Sequence, residues 1–316
     1  MVFGRNPLSD FSTDVAIIGG GLTGLLTAIH IKKTTPGTSV RLLEQAAYPA
    51  GASVKNAGFA CYGSASEILD DIENEGASVA IARVISRCEG LQMLRNITGD
   101  KNIDWRTNDG YEVFTNAKDP HYLQATDRLP ELNEALANTL GFTPFTLVPN
   151  SYKMRCAENL IKMAREASID SGKTLKVLLD IARSLKVEMT YGSAVESFSR
   201  EGDHWRISLP GGNVKAGKLV ITTNAFSAKF LPDLPLLPFR GQVLHTTAIK
   251  GLQLHGNFHL NQGYYYFRSY RGGVLLGGGR HIDKVNEQTS SQQTTEKIQN
   301  NLEQLLRGGH HTRPSL

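Results

Sequence analysis

Glycines at positions 19, 21 and 24 and a carboxylate at Glu44 are the residues whose types and spacing most directly imply chemistry in this chain. In the run Gly19-Gly20-Gly21-Leu22-Thr23-Gly24, the first glycine permits a tight turn. Gly21 lets the main chain approach a pyrophosphate, and Gly24 lets a following helix pack closely on the preceding strand. A helix starting here offers amide hydrogens and the positive end of its dipole to phosphate charge. Glu44, with Gln45 beside it, would accept hydrogen bonds from the hydroxyls of an adenosine ribose. The pattern implies a bound dinucleotide. The alternative is a glycine-rich turn that holds no ligand.

The elements needed to position these residues are present in order. Asp14 to Ile18 is a short apolar run suited to a strand buried on both faces. Leu25 to Ile31 is mostly apolar with good helix formers, and Lys32-Lys33 and Pro36-Gly37 end it. Ser39 to Leu43 forms a second strand that ends at Glu44, 20 residues beyond Gly24. Strand, turn, helix, strand and terminal carboxylate therefore follow one another at the spacing a dinucleotide fold requires.

Composition narrows the remaining classes. The chain has 316 residues, a formal net charge of +4, 40% apolar and 20% charged residues, an ordinary globular mix that excludes extensive disorder. So small a charge excess calls for neither nucleic acid nor membrane. Cys61, Cys88 and Cys156 are too few and too scattered for a disulfide scaffold or a cysteine-rich zinc site. There is no run of about 18 apolar residues and no apolar core of a secretory signal in the first dozen. A cytoplasmic, soluble protein is expected. Glycine, at 31 residues, is the one clear excess.

Downstream of Glu44, the stretch Gly51-Ala52-Ser53-Val54-Lys55-Asn56-Ala57-Gly58-Phe59 resembles one found in the D-amino-acid oxidase superfamily. These are FAD-dependent oxidoreductases that include glycine, sarcosine and γ-glutamylputrescine oxidases. The resemblance implies FAD as cofactor and places Ser53, Lys55, Asn56, Ala57 and Gly58 beneath the flavin. It continues through Ile169 to Thr174, an amphipathic helix with Leu175, Leu178, Leu179 and Ala182 on one face, and Val187-Glu188-Met189. In such a crossover the backbone near Val195 touches the adenine. A hairpin pairs His204–Leu209 with Val214-Lys215 around Pro210-Gly211-Gly212. Lys218 to Ala225 then resembles a buried strand ending in a small-residue turn, with Thr223 and Asn224 against the cofactor. Most members have Ala-Thr-Gly or Ala-Ala-Gly there, whereas this chain has Thr-Thr-Asn; asparagine tolerates the unusual backbone angles.

The implied architecture is α/β: a Rossmann-like FAD-binding domain interleaved with a mostly antiparallel α+β substrate domain. Expected boundaries are 1–88 and 151–233 for the first, 89–150 and 234–306 for the second, with a polar tail over 307–316. Strands are expected at Tyr111–Phe114, Gln242–Ile249, Phe258–Leu260, Tyr264–Tyr270 and Val274–Leu276, the last two joined at Arg271-Gly272-Gly273. Arg240-Gly241-Gln242 and Gly277-Gly278-Gly279-Arg280 also match family patterns. On the tyrosine-rich strand, a period of two puts Tyr264, Tyr266 and Arg268 on one face, Tyr265 and Phe267 on the other. Two phenols and a guanidinium, with Arg240, could line a site for a substrate carboxylate. An ordinary amphipathic strand reads the same way.

Other groups point elsewhere. His255 and His259 flank Gly256 in a strand-like region, which disfavours a helical metal pair, and no metal site is expected. Cys61 reads as a buried small residue. Asp70-Asp71 and Glu73 with Glu75 read as a solvated helix face. The expected activity is oxidation of an amine or amino acid: hydride passes from the carbon beside nitrogen to the flavin, water hydrolyses the imine, and oxygen or another acceptor reoxidises the cofactor. Alternatives are a non-catalytic or incomplete flavin-binding chain, a flavoenzyme acting on modified tRNA, and a nicotinamide-dependent dehydrogenase. The small net charge disfavours the tRNA reading, and the Gly51 to Phe59 stretch has no role in the dehydrogenase. The resemblance also implies a closing flavin-contacting segment after the Thr294–Leu306 helix, and residues 307–316 match nothing in it.

Overall fold

A computed structural model describes residues 11–152 and 154–307. The chain opens with β1 (Phe11–Ile18), α1 (Leu22–Thr34), β2 (Val40–Leu43), β3 (Phe59–Ala60), α2 (Ala65–Glu75) and α3 (Ala77–Thr98). It continues through β4 (Arg106–Thr107), β5 (Gly110–Val113), α4 (Pro120–Leu140), β6 (Phe145–Pro149), β7 (Asn159–Met163), β8 (Ala167–Ser168) and α5 (Ser171–Ser184). Then come β9 (Glu188–Thr190), β10 (Ser197–Glu201), β11 (His204–Leu209) and β12 (Gly212–Ile221). The remainder is β13 (Gln242–His245), β14 (Asn257–Leu260), β15 (Tyr265–Tyr270), β16 (Gly273–Gly278), α6 (Lys284–Glu287) and α7 (Glu296–Leu306).

The chain divides into two compact units. The first runs through Asn56 and resumes over Ser171–Pro238. Its sheet has the order β10-β11-β12-β1-β2-β9, with β12, β1, β2 and β9 parallel. Val15, Ala16, Ile17 and Ile18 are all buried, as a strand covered on both faces requires. Helix α1 buries Leu25, Ala28 and Ile29, and α5 buries Leu175, Leu178, Leu179 and Ala182 as their 3.6-residue spacing predicts. One expectation fails: the hairpin arm and the following strand are a single strand, β12. It pairs antiparallel with β11 through Ala216 and parallel with β1 through Ile221. Its pairing with β1 runs on both sides of Gly217, from Val214 to Ala216 and from Lys218 to Ile221, which keeps the strand continuous there.

The second unit comprises Ala57–Asp170 and the chain from Phe239 onward. Its seven-stranded sheet has the order β13-β16-β15-β14-β5-β7-β6, parallel only between β14 and β5, and β3, β8 and β4 form a small second sheet. One face of the large sheet buries Val113, Phe258, Leu260, Tyr265, Phe267, Val274 and Leu276 with Ile298, Leu302 and Leu305 of α7. Arg271 (φ +50°) and Gly272 (φ +79°) make the two-residue turn joining β15 to β16, the hairpin expected from Arg-Gly-Gly.

The unit boundaries fall after residues 56, 170 and 238 rather than at the expected 88, 150 and 233. Packing explains the shift. Ile68 and Leu69 of α2 and Val84 of α3 share a core with Leu129 and Leu132 of α4, which ties 57–88 to the stretch after it. Likewise β7 pairs with β5 and β6, so residues 151–170 stay with them. Of the expected polar tail, 307–316, all but Arg307 lies outside the described residues. Among the described residues no helix is long and apolar enough to cross a membrane.

Candidate functional site

In the first unit the glycine run sits at the junction of β1 and α1. Gly19 has φ +109°, and its amide donates to the Leu43 carbonyl at 2.9 Å. A Cβ on Gly24 would overlap the Gly19 carbonyl oxygen, which explains why only glycine fits there. The Glu44 carboxylate spans the turn: Oε2 accepts from the Gly20 amide (2.8 Å) and Oε1 from the Ala46 amide (3.0 Å). Gln45 beside it is exposed. Helix α1 begins after Gly21 with no capping side chain of its own and no acidic residue in its first turn. The Leu22 amide instead donates to Ser53 Oγ at 3.0 Å, which puts the Ser53 hydroxyl at the helix start. Around Gly21, a Cβ would meet only the Ser53 side chain, with Oγ at 2.7 Å.

These features suit a dinucleotide phosphate: a bare main chain, a positive helix end with no acidic residue in its first turn, and a hydroxyl that can turn toward an anion. The sequence analysis did not single out Thr222, whose hydroxyl donates to the carbonyls of Ile18 (2.9 Å) and Gly19 (3.0 Å) and braces the turn from β12. Its neighbour Thr223 bonds Ser227 Oγ at 2.9 Å, and Asn224 takes φ +47°, the left-handed conformation open to asparagine. Val195 is buried and its carbonyl accepts from Lys229 Nζ at 2.9 Å. In the loop after β2, Lys55 is exposed. Asn56 donates to the carbonyls of Ala52 and Ser53 and accepts from Ser171 Oγ at 2.7 Å, so its amide shapes the loop.

In the second unit the loop continues into buried Ala57 and into Gly58 at φ +68°. The expected alternation on β15 is present: Tyr265 and Phe267 face the apolar core, while Tyr266 and Arg268 share the other face. Tyr264 does not join them. It precedes β15, is 46% exposed and has its ring 4.7 Å from that of His281. Arg268 is buried, donates through Nη2 to the Ile169 carbonyl at 3.1 Å, and keeps a buried Nε with no hydrogen-bond partner among the described residues. Burial pulls its pKa down from the usual arginine value. Tyr266, edge-on to Phe59 at 5.8 Å, has its phenol pKa raised by burial.

Arg240 is spent elsewhere. Its Nε and Nη2 bind the buried Glu287 carboxylate at 2.9 and 2.6 Å, and Nη1 donates to the Gln293 carbonyl at 2.6 Å. Gln242 Nε2 donates to both Glu287 oxygens at 3.0 Å. The guanidinium next to Glu287 holds that carboxyl below the usual carboxylate range. The sequence placed Arg240 with the substrate because its partner, 47 residues away, gives no local signal.

The same polar face carries residues that the sequence analysis did not connect. Glu112 on β5 lies opposite His259 on β14, and His259 opposite Tyr266 on β15. Glu112 is fully buried; it accepts from Ser64 Oγ at 3.0 Å, from the Ser66 amide at 3.2 Å and from Ser66 Oγ, and so closes the start of α2. Glu166 is fully buried, and its Oε2 lies 3.7 Å from His259 Nε2. Burial pushes both carboxyls up. For His259, burial acts downward, but Glu166, Glu112 and Glu67 outweigh it and raise the pKa. His259 lies in strand β14, so it does not form a helical pair with His255.

Comparison with known proteins identifies the family. Residues 14–314 match the family described as DAO, FAD dependent oxidoreductase. The bifunctional protein ThiO/ThiG of Trichormus variabilis is 26% identical over 240 residues, 73% of this chain and 34% of that protein. The chain thus spans about a third of the length of that curated relative. Among solved structures it is similar to an L-proline dehydrogenase from P. horikoshii (TM-score 0.68, 14% identity, covering 93% of this chain and 76% of that one). It is also similar to a glycine oxidase from Geobacillus kaustophilus (TM-score 0.66, 18% identity, covering 96% and 78%). At these identities the structural likeness shows the fold.

Proposed function

Since the chain belongs to the DAO family of FAD-dependent oxidoreductases, we propose that it oxidises the C–N bond of an amino acid or a related amine. Bound FAD would supply the acceptor for the hydride leaving the carbon beside nitrogen. The chain's own residues do the rest. The main chain from Gly19 to Gly24 and the start of α1 hold the phosphates, with the Ser53 hydroxyl as an added donor. Glu44, braced by the Gly20 and Ala46 amides, keeps lone pairs for ribose hydroxyls.

In the second unit Arg268 is the group for a substrate carboxylate. The observation that carries this assignment is its buried Nε, unpartnered among the described residues, beside a committed Nη2: the guanidinium is already oriented and has a donor left. Tyr266, on the same face, offers a phenol held in its neutral form by burial. The related structures, an L-proline dehydrogenase and a glycine oxidase, support amino acids as the substrate class.

The test is anaerobic. Purified protein reconstituted with FAD is mixed with a panel of D- and L-amino acids and of amines lacking a carboxylate, and flavin absorbance is followed. Bleaching by amino acids is the expected result, with the amino-acid concentration for half-maximal bleaching rate raised about tenfold or more in Arg268→Lys. Bleaching by none of them overturns the proposed reaction. Equal bleaching by carboxylate-free amines, unaffected by Arg268→Lys, overturns the role given to Arg268.

A further inference from the structure

Cys61, Glu166 and His259 converge in the second unit, with one ligand atom from each within 4.8 Å of the others. Their positions follow from the strand ladders. Phe59 and Ala60 of β3 pair with Ser168 and Ala167 of β8, so Cys61 and Glu166 are the next opposed positions. His259 comes from β14 of the large sheet, its ring edge-on to Phe59 at 5.3 Å. Glu166 and His259 are both more than nine-tenths buried, and Glu166 Oε2 and His259 Nε2 have no hydrogen-bond partner among the described residues.

Their 3.7 Å separation is informative. It is too long for a hydrogen bond. It is also too short for a shared water, which would hold two tetrahedrally placed partners about 4.6 Å apart. Two ligands on a tetrahedral zinc stand about 3.3–3.6 Å apart. The two atoms, within ion-pair distance when His259 is protonated but not hydrogen-bonded, therefore also have the spacing of ligands to one cation, reached by a shift well under 1 Å between these two.

The structure assigns to Cys61, Glu166 and His259 a site for a divalent cation of the zinc class. A thiolate, an imidazole and one carboxylate are ligands for zinc and not for magnesium or calcium, and three protein ligands leave the fourth position to water. Thiolate and carboxylate carry the two negative charges that a divalent cation offsets, and binding displaces the thiol proton. Without a cation, burial and the nearby Glu166 and Glu67 push the Cys61 thiol up, so the group stays protonated. Glu112, though near, is not a ligand, because Ser64 and Ser66 already occupy its oxygens. Gly110 leaves the room: a Cβ there would overlap the Glu166 carboxylate. Cys61 is only partly buried, which gives a cation its approach. The bound ion would staple the small sheet to the large one.

The test uses the full chain, incubated with zinc and then exhaustively dialysed before metal analysis. Stoichiometric zinc is expected, with affinity falling at least about a hundredfold in Cys61→Ser and in Glu166→Gln, and unchanged in Cys88→Ser. Zinc retained equally by Cys61→Ser, or not retained by the unaltered chain, overturns the assignment. Should the variants fail to fold, alkylation of the unaltered chain decides. Zinc should slow modification of Cys61 about tenfold or more while leaving Cys88 and Cys156 unaffected, and equal rates with and without zinc overturn the site.

Discussion

Replacing Gly19 by alanine isolates the contribution of the glycine turn. Gly19 sits at φ +109°, where an L-residue is strained, and its Cβ would lie 2.7 Å from the Thr222 carbonyl oxygen. Ordinary contact begins near 3.4 Å, so β12 and the turn must separate by about 0.7 Å. Backbone strain costs about 1–3 kcal/mol, and overpacking against a main-chain atom adds about 1–3 kcal/mol. The total, about 2–6 kcal/mol, is a large fraction of a domain's stability. The melting midpoint of the FAD-free protein should fall by at least about 5 °C. Displacement of the amides at the start of α1 should weaken FAD at least about tenfold, read by titrating flavin fluorescence. Gly90→Ala is the internal control. Gly90 lies inside α3 with no atom within 4 Å of a Cβ, so the same chemical change there should stabilise by about 0.5–1 kcal/mol. A Gly19→Ala protein that melts with the unaltered chain and binds FAD with unchanged affinity would refute the steric argument.

Further outcomes follow from single contacts. Ser53→Ala removes the acceptor of the Leu22 amide and should cost about 1 kcal/mol in the FAD-free protein, by denaturant titration, and weaken FAD further. Arg240→Ala leaves the Glu287 carboxylate buried without its cation and should destabilise by about 3 kcal/mol or more, lowering yield and melting point. A change in KM at unaltered stability would return Arg240 to the substrate. Because Glu287 titrates lower in the folded than in the unfolded chain, its stabilisation is complete above the unfolded value of about 4.3 and is lost as pH falls through the folded pKa. Glu287→Gln should flatten that acid limb of the melting-point profile. Thr222→Val, of equal volume but without the hydroxyl bonded to Ile18 and Gly19, should cost about 1 kcal/mol and weaken FAD several-fold; no effect on either would remove the brace.

How far each site was legible in the sequence follows from how far apart its parts lie. The glycine turn is local. Gly19, Gly21, Gly24, the flanking strands and Glu44 occupy one short stretch, and each glycine has a steric reason that spacing alone expresses. Even there the bracing of Gly19 by Thr222 was not legible, because Thr222 lies 203 residues downstream. On β15 the period of two correctly separated Tyr266 and Arg268 from Tyr265 and Phe267. It failed at Tyr264, which belongs to the preceding turn, where alternation does not apply. The charged interior of the second unit had no local signature. Glu112, Glu166 and His259 come from separate segments, and only register brings them together. Arg240 shows the converse error: a charged residue near a presumed site was assigned to it because its buried partner could not be seen.

That difference in range also predicts how each site tolerates change. At Gly19 the opposing atom is a main-chain carbonyl, so no second substitution can make room, and a replacement must be paid for by moving a strand. At Arg240 the opposing group is a side chain. Removing one partner strands a buried charge, while replacing Arg240 and Glu287 together by apolar residues of similar volume should recover much of the loss. Gln242 limits that recovery, because its amide donates to both Glu287 oxygens and would need a new acceptor. The double replacement should therefore be clearly more stable than Arg240→Ala and still fall short of the unaltered chain. A double variant no better than the single one would mean that the cost at this position lies in backbone or packing changes rather than in the unpaired carboxylate.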